Sequence, residues 1–109
     1  MKVLFAVKND AGLDSELDER FGRAGYFLIY DTEAGKILSI EENKARNEGH
    51  GVGLKTSAYV VEKGCAAAVG AQAGPKAADI LRQAGVKMIV ENKGTVKEML
   101  EKHRSGLAA

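Results

Sequence analysis

Cysteine is nearly absent from this chain, with one residue, Cys65, in 109. That excludes an internal disulfide, and one thiol cannot supply the four thiolates that usually hold an iron–sulfur cluster. Excess charge of either sign is also missing: 16 basic residues face 15 acidic ones, a formal net charge of +1. No overall field is available to collect nucleic acid or an anionic membrane, so any binding of anions has to be local. Long apolar runs are absent as well. The amino-terminal VLFAV is far too short for a membrane span, and no small-residue cleavage site follows a core of signal-peptide length. The expectation is a cytoplasmic protein with neither a membrane nor a nucleic acid as partner. There is no Ser-His-Asp order, HExxH, CxxC or GxxxxGK[ST], so the common nucleophilic, zinc-hydrolase and phosphate-loop routes find no support.

What is present describes an ordinary globular domain. Hydrophobic residues make up 45% and charged residues 28%, too apolar for intrinsic disorder. Cutting a core of this size in two would leave both halves marginal, so residues 1–109 are expected to form one domain.

Val3 to Val7 is a continuous apolar run, as expected of a strand covered on both faces. Tyr26 to Tyr30 and Lys36 to Ile40 read as two further strands, joined by DTEAGK, whose Asp, Thr and Gly chemistry suits a hairpin loop. Leu54, Ala58 and Val61 recur at helical spacing, and Gly64 stands where a left-handed terminator is wanted. Cys65 to Val69 follows as a small-residue strand. Gly74-Pro75 opens a second helix with proline in its first turn, where the missing N–H costs little. Ala77, Ile80, Leu81 and Ala84 are its expected buried stripe. Val86 to Val90 is a fifth strand, and Thr95 with Glu98 matches a capping box at the start of a third helix. Val96, Met99, Leu100 and His103 share one face of that helix.

The order β, β, β, α, β, α, β, α implies a three-layer α/β domain with a five-stranded mixed sheet and three main helices. With right-handed crossovers, four loops meet at one edge: residues 9 to 25, 42 to 53, 70 to 75 and 91 to 95. They contain FGRAGY, EGHGVG, GAQAGP and NKGT, so most glycines lie where open α/β sheets bind ligands. Cys65 and His103 are expected at the opposite edge.

Gly-rich loops leading into helices aim amides and positive helix ends at a common place, and an anion is the natural guest. Arg20 and Arg23 would add charge there. Each loop taken singly is accounted for by the needs of tight turns. His50 is suited to coordinate a soft or borderline metal through a neutral imidazole, although a lone histidine in a glycine loop is commonly a solvated turn residue. Cys65 reads as a small packing residue rather than an activated thiolate. Asp14 to Glu19 reads as a solvated loop or a single helical turn, with paired-carboxylate metal chemistry as the rival.

Taken in order, FGRAGYFLIYDTEAGK, the NEGHGVG segment, GAQAGPKAADILRQAGVK and the closing GTVKEMLE resemble the dinitrogenase iron-molybdenum cofactor biosynthesis family over essentially the whole chain. The resemblance implies a ribonuclease H-like fold. It also implies non-catalytic binding, storage or delivery of a preassembled iron–sulfur or molybdenum-containing cluster, held non-covalently, with cluster-assembly proteins as partners. Such clusters are anionic, so amides, arginines and one imidazole can hold one without four cysteines. The implied site is Arg20, Gly22, Arg23, Gly49, His50, Gly51, Gly70 and Gly74, with His50 as the metal ligand. Relatives commonly carry histidine directly before FGR, where this chain has Arg20, which removes one potential ligand and adds a positive charge. Two rivals stand beside this reading. One is a divalent-metal phosphodiesterase using Asp10 with Asp14 or Asp18, and the other is a small regulatory or interaction module.

Overall fold

The structure, a computed structural model, describes residues 1–49 and 51–107. Strand β1 (Lys2–Val7) lies at the centre of one sheet of order β3-β2-β1-β4-β5, where β2 is Tyr26–Asp31, β3 Lys36–Glu42, β4 Ala67–Gly70 and β5 Lys87–Val90. β1 and β2 pair antiparallel from Lys2↔Asp31 to Val7↔Tyr26, and β3 continues that meander antiparallel to β2. β4 pairs parallel with β1, and β5 parallel with β4. This is the ribonuclease H-like mixed sheet implied above. Register shifts by one residue between Ile29 and Tyr30, so Leu38 has no partner and bulges from the outermost strand. Such a bulge makes an exposed sheet edge a poor template for pairing.

β1 is apolar throughout because both its faces are covered. Leu4 and Ala6 join Phe21, Phe27, Val60, Ala77 and Leu81 on one side of the sheet. Val3, Phe5 and Val7 join Leu17, Leu28, Val96, Met99 and Leu107 on the other. Helices α1 (Val52–Glu62) and α2 (Pro75–Gln83) cover the first side, and α3 (Val96–Lys102) covers the second. The end signals act as the residue types require. Pro75 occupies the first turn of α2, and Thr95 Oγ1 accepts from Glu98 N while Glu98 Oε1 accepts from Thr95 N.

The faces of the first two helices differ from expectation. α1 buries Val52, Thr56, Ser57 and Val60, whereas Leu54 and Val61 are each 42% exposed and Ala58 is exposed too. On α2, Ala77 and Leu81 are buried as expected, but Ile80 is 37% exposed and Ala84 faces solvent. The reason is the α1/α2 contact, which uses small residues. A Cβ on Gly53 would lie 3.5 Å from Ala77 Cβ, and Ser57 Oγ donates to Gly53 O at 2.9 Å and to Ala77 O at 3.3 Å. Helices that approach on Gly, Ser and Ala keep Val60 and Leu81 in the core and leave Leu54, Val61 and Ile80 on the outer face.

Two further expectations are corrected. The Asp14–Glu19 stretch is not simply solvated: after a 3₁₀ turn at Gly12–Asp14, Ser15, Leu17 and Asp18 are buried. Leu17 bridges to Val7, and Val96 N donates to Ser15 O, tying the loop to β1 and α3. His103 does not fall at the opposite edge. Its Nε2 lies 2.5 Å from Oε2 of Glu91, the residue directly after β5.

Candidate functional site

The loops that follow the carboxyl ends of β1, β3 and β4 meet around the first turns of α1 and α2. Three buried or half-buried polar side chains set the FGR loop. Asp18, 4% exposed, accepts from Arg20 N at 3.0 Å through Oδ1 and from Gly25 N at 3.2 Å through Oδ2. The first of these is the two-residue reach by which aspartate side chains build turns. Asn43, 6% exposed, donates from Nδ2 to Gly22 O at 2.9 Å and Ala24 O at 3.0 Å, and its Oδ1 accepts from Ala45 N at 3.2 Å. Thr56 Oγ1 on α1 donates to the same Gly22 O at 3.2 Å.

The effect is to press Gly22 against the start of α1. A Cβ at Gly22 would lie 3.2 Å from Gly53 Cα and 3.3 Å from Gly53 N, so two backbones meet where no side chain fits. Gly51 caps α1 at φ 77°, a conformation that L side chains rarely adopt, and it makes no side-chain cap; neither does Gly74 at the start of α2. Between these two helix starts lies an open cleft of about 530 Å³, lined by Gly51, Gly53, Leu54, Gly74, Pro75, Lys76 and Ala77. The first amides of an α-helix have no intrahelical acceptor, and among the described residues no side chain takes them here. Two positive helix ends and Lys76 therefore face one glycine-lined opening.

The residues singled out from sequence divide into groups. Gly51 and Gly74 line the cleft, and Gly22 backs it through Gly53. Gly70 is buried beneath it, where a Cβ would meet Ala6 Cβ at 3.1 Å and Phe21 Cδ1 at 3.4 Å, so its smallness serves packing. Arg20 is 62% exposed, with Nε 3.4 Å from Asp18 Oδ1. Arg23 is instead engaged with backbone: Nη1 donates to Arg46 O at 2.7 Å and Nη2 to Gly49 O at 3.1 Å, holding the 43–49 loop against FGR. Gly49 itself stands in open space. His50 lies outside the described residues.

Sequence reasoning missed Asp18, Asn43 and Thr56 as supports and Gly53 and Lys76 as lining. Asp18 carried a legible signal in its spacing to Arg20. Asn43 reaches Ala45 N locally in the same way, but its bond to Gly22 O and that of Thr56 left no trace, because Gly22 lies 21 and 34 residues away.

Cys65 is 5% exposed and precedes β4, at the sheet edge away from the cleft. Burial pushes its thiol above the usual range, with Lys2 and Lys63 pulling partly back, so it stays protonated. Among the described residues no three His, Cys, Asp or Glu side chains converge on a point. Asp10 and Asp14 are exposed, while the Asp18 carboxylate is used within its own loop. Among the described residues no helix is long and apolar enough to cross a membrane.

Fold and site together define a small three-layer ribonuclease H-like α/β domain with a glycine-lined, amide-rich rim at one sheet edge. The chain belongs to the dinitrogenase iron-molybdenum cofactor family, whose family model matches residues 1–106. It is 31% identical over 103 residues to an uncharacterized protein of Methanocaldococcus jannaschii, covering 93% of this chain and 83% of that one. Among solved structures it is similar to the apo form of the orange protein from Desulfovibrio gigas, with a TM-score of 0.87 and 26% identity, covering 99% of this chain and 90% of that one. It is also similar to a putative NifB protein from Thermotoga, with a TM-score of 0.80 and 34% identity, covering 97% and 89% respectively.

Proposed function

We propose that this protein binds an anionic metal–sulfur cluster, iron–sulfur or molybdenum-containing, as cargo and hands it on without catalysing a reaction. The observation that carries the reading is the cleft between α1 and α2, where two uncapped helix starts and Lys76 meet a glycine-lined opening. Amides fixed in this way stabilise negative charge without reorganising, and glycine walls admit a bulky ligand close to backbone. Family membership supplies the class of cargo. The donor set matches a carrier rather than a permanent scaffold. Amides, Arg20 and Lys76 attract an anion, and His50, in the chain between two rim glycines, supplies one metal ligand. A single coordinate bond with many weaker contacts holds a preformed cluster and still releases it.

The test is anaerobic incubation of the purified protein with an iron–tetrathiomolybdate cluster, followed by gel filtration and metal analysis. Iron and molybdenum are expected to travel with the protein, less so with His50→Ala and equally well with Cys65→Ala. If neither metal co-elutes, the proposal fails. If the two variants lose metal alike, the site lies elsewhere.

A further inference from the structure

Three of the large apolar side chains that face solvent, Leu54, Val61 and Ile80, lie on one face of one helix pair. With Ala58 and Ala84 they line a furrow between α1 and α2 that continues from the cleft down to the far helix ends. Val52 and Val60 of α1 are buried with Thr56 and Ser57, while Leu54 and Val61 stay outside, so the helix carries a second apolar stripe where an ordinary surface helix is polar. Apolar side chains grouped on one face in this way offer a surface on which another molecule can sit.

Size and charge say which kind. α1 and α2 expose ten residues between them. A stable complex engages about 20–30 residues a side, so this face suits a short-lived contact rather than a permanent dimer. Its charge is polarised. At the cleft end stand two helix N-termini and Lys76, and at the other end stand Glu62 and two helix C-termini. Neither Lys76 nor Glu62 makes an ion pair among the described residues, whereas Lys55 pairs with Glu48, Lys63 with Glu41 and Arg82 with Asp79. We infer that the α1/α2 furrow is a docking surface for an amphipathic helix of a partner protein, its apolar stripe on Leu54, Val61 and Ile80, its acidic end over Lys76 and its basic end over Glu62. A helix seated in a furrow by anchors spaced three and four residues apart is an established mode of recognition. Because Leu54 lines the cleft and stands one helical turn from Ala58 of the furrow, a bound partner would stand at the mouth of the cleft. The inference holds whether or not a cluster is the cargo.

The probe is a stapled helical peptide with leucines at alternating three- and four-residue spacing, lysines in its first turn and glutamates in its last. Lying antiparallel to α1 and α2, it matches both charged ends. Backbone NMR shifts are expected at Leu54, Ala58, Val61 and Ile80. Binding should be roughly tenfold weaker when the glutamates are replaced by lysines, and lost in Val61→Glu and in Ile80→Glu. Circular dichroism checks that these surface variants stay folded, and Leu38→Glu on the far edge serves as a variant that binds normally. No binding, equal binding of the all-lysine peptide, or shifts elsewhere would overturn the inference. So would concentration-dependent shifts of the same residues without peptide, which would make a second copy of the chain the occupant.

Discussion

Asn43→Ala is the sharpest probe of how the rim is built. The side chain is buried and makes three hydrogen bonds, to Gly22 O, Ala24 O and Ala45 N. Each is worth about 1 kcal/mol net, and a buried carbonyl left without a donor costs about 1–3 kcal/mol. Gly22 O keeps its bond from Thr56, and the backbone bond from Asn43 N to Gly25 O survives the substitution. Ala24, fully buried, loses the donor to its carbonyl. The expected loss is about 2–4 kcal/mol, a large part of a typical domain's stability. Urea denaturation should show a lowered midpoint with an unchanged slope, and the melting temperature should drop by about 10 °C or more. A double-mutant cycle with Thr56→Val isolates the shared acceptor. Either single variant leaves Gly22 O one donor and the double leaves none, so the double should cost about 0.5 kcal/mol or more beyond the sum. An Asn43→Ala loss under about 0.5 kcal/mol, or strict additivity with Thr56→Val, would refute the claim that these two side chains hold Gly22 against α1.

Three other perturbations test separate parts of the structure. Arg23→Ala removes the two bonds to Arg46 O and Gly49 O; the amides of residues 46 and 48 should exchange faster while those of α1 do not, for a stability change under about 1 kcal/mol, and Arg23→Lys should restore only part of the protection. Gly22→Ala forces a Cβ to 3.2 Å from backbone and should cost about 1–3 kcal/mol, whereas Gly49→Ala, in open space, should stay within about 0.5 kcal/mol; equal melting temperatures for the two would contradict the close approach. Hydrogen bonds from Lys102 and then His103 hold the Glu91 carboxyl below the usual range. Its folded value is depressed, so its contribution is full above the unfolded value of about 4.3 and is lost as pH falls through the folded one. The urea midpoint of wild type should therefore exceed that of Glu91→Gln at neutral pH and converge on it in acid. A gap that persists unchanged to low pH would show that the ionised carboxylate is not what matters.

Much of the fold was legible because its signals are short-range. The unbroken VLFAV run reads as a strand covered on both faces rather than a short buried helix because of its β-branched content and the KNDAG turn after it, and the observed sheet covers it so. Pro75 and the Thr95/Glu98 box satisfy, or do without, amides within their own first turns, so they mark helix starts whatever surrounds them. Placing the glycine loops at one edge needed only chain direction and crossover handedness. The resemblance to the cofactor family rested on the same loops in order.

The sequence alone determined which strands and helices form and in what order, with bounds shifted by up to two residues as at β3 and β4, and that its glycine loops gather at one edge, since these follow from backbone sterics, local hydrogen bonding and crossover handedness. Only tertiary structure decided which side of α1 and α2 is buried. Periodicity says that an apolar stripe exists, but the close approach of Gly53, Ser57 and Ala77 sets the rotation that leaves Leu54, Val61 and Ile80 outside. It also separated Arg20 from Arg23, alike in the sequence: one guanidinium is largely in solvent and the other is bound to carbonyls 23 and 26 residues away. A hydrogen-bond partner that distant leaves no local trace, because it is chosen by the packing of elements and not by the residues beside it.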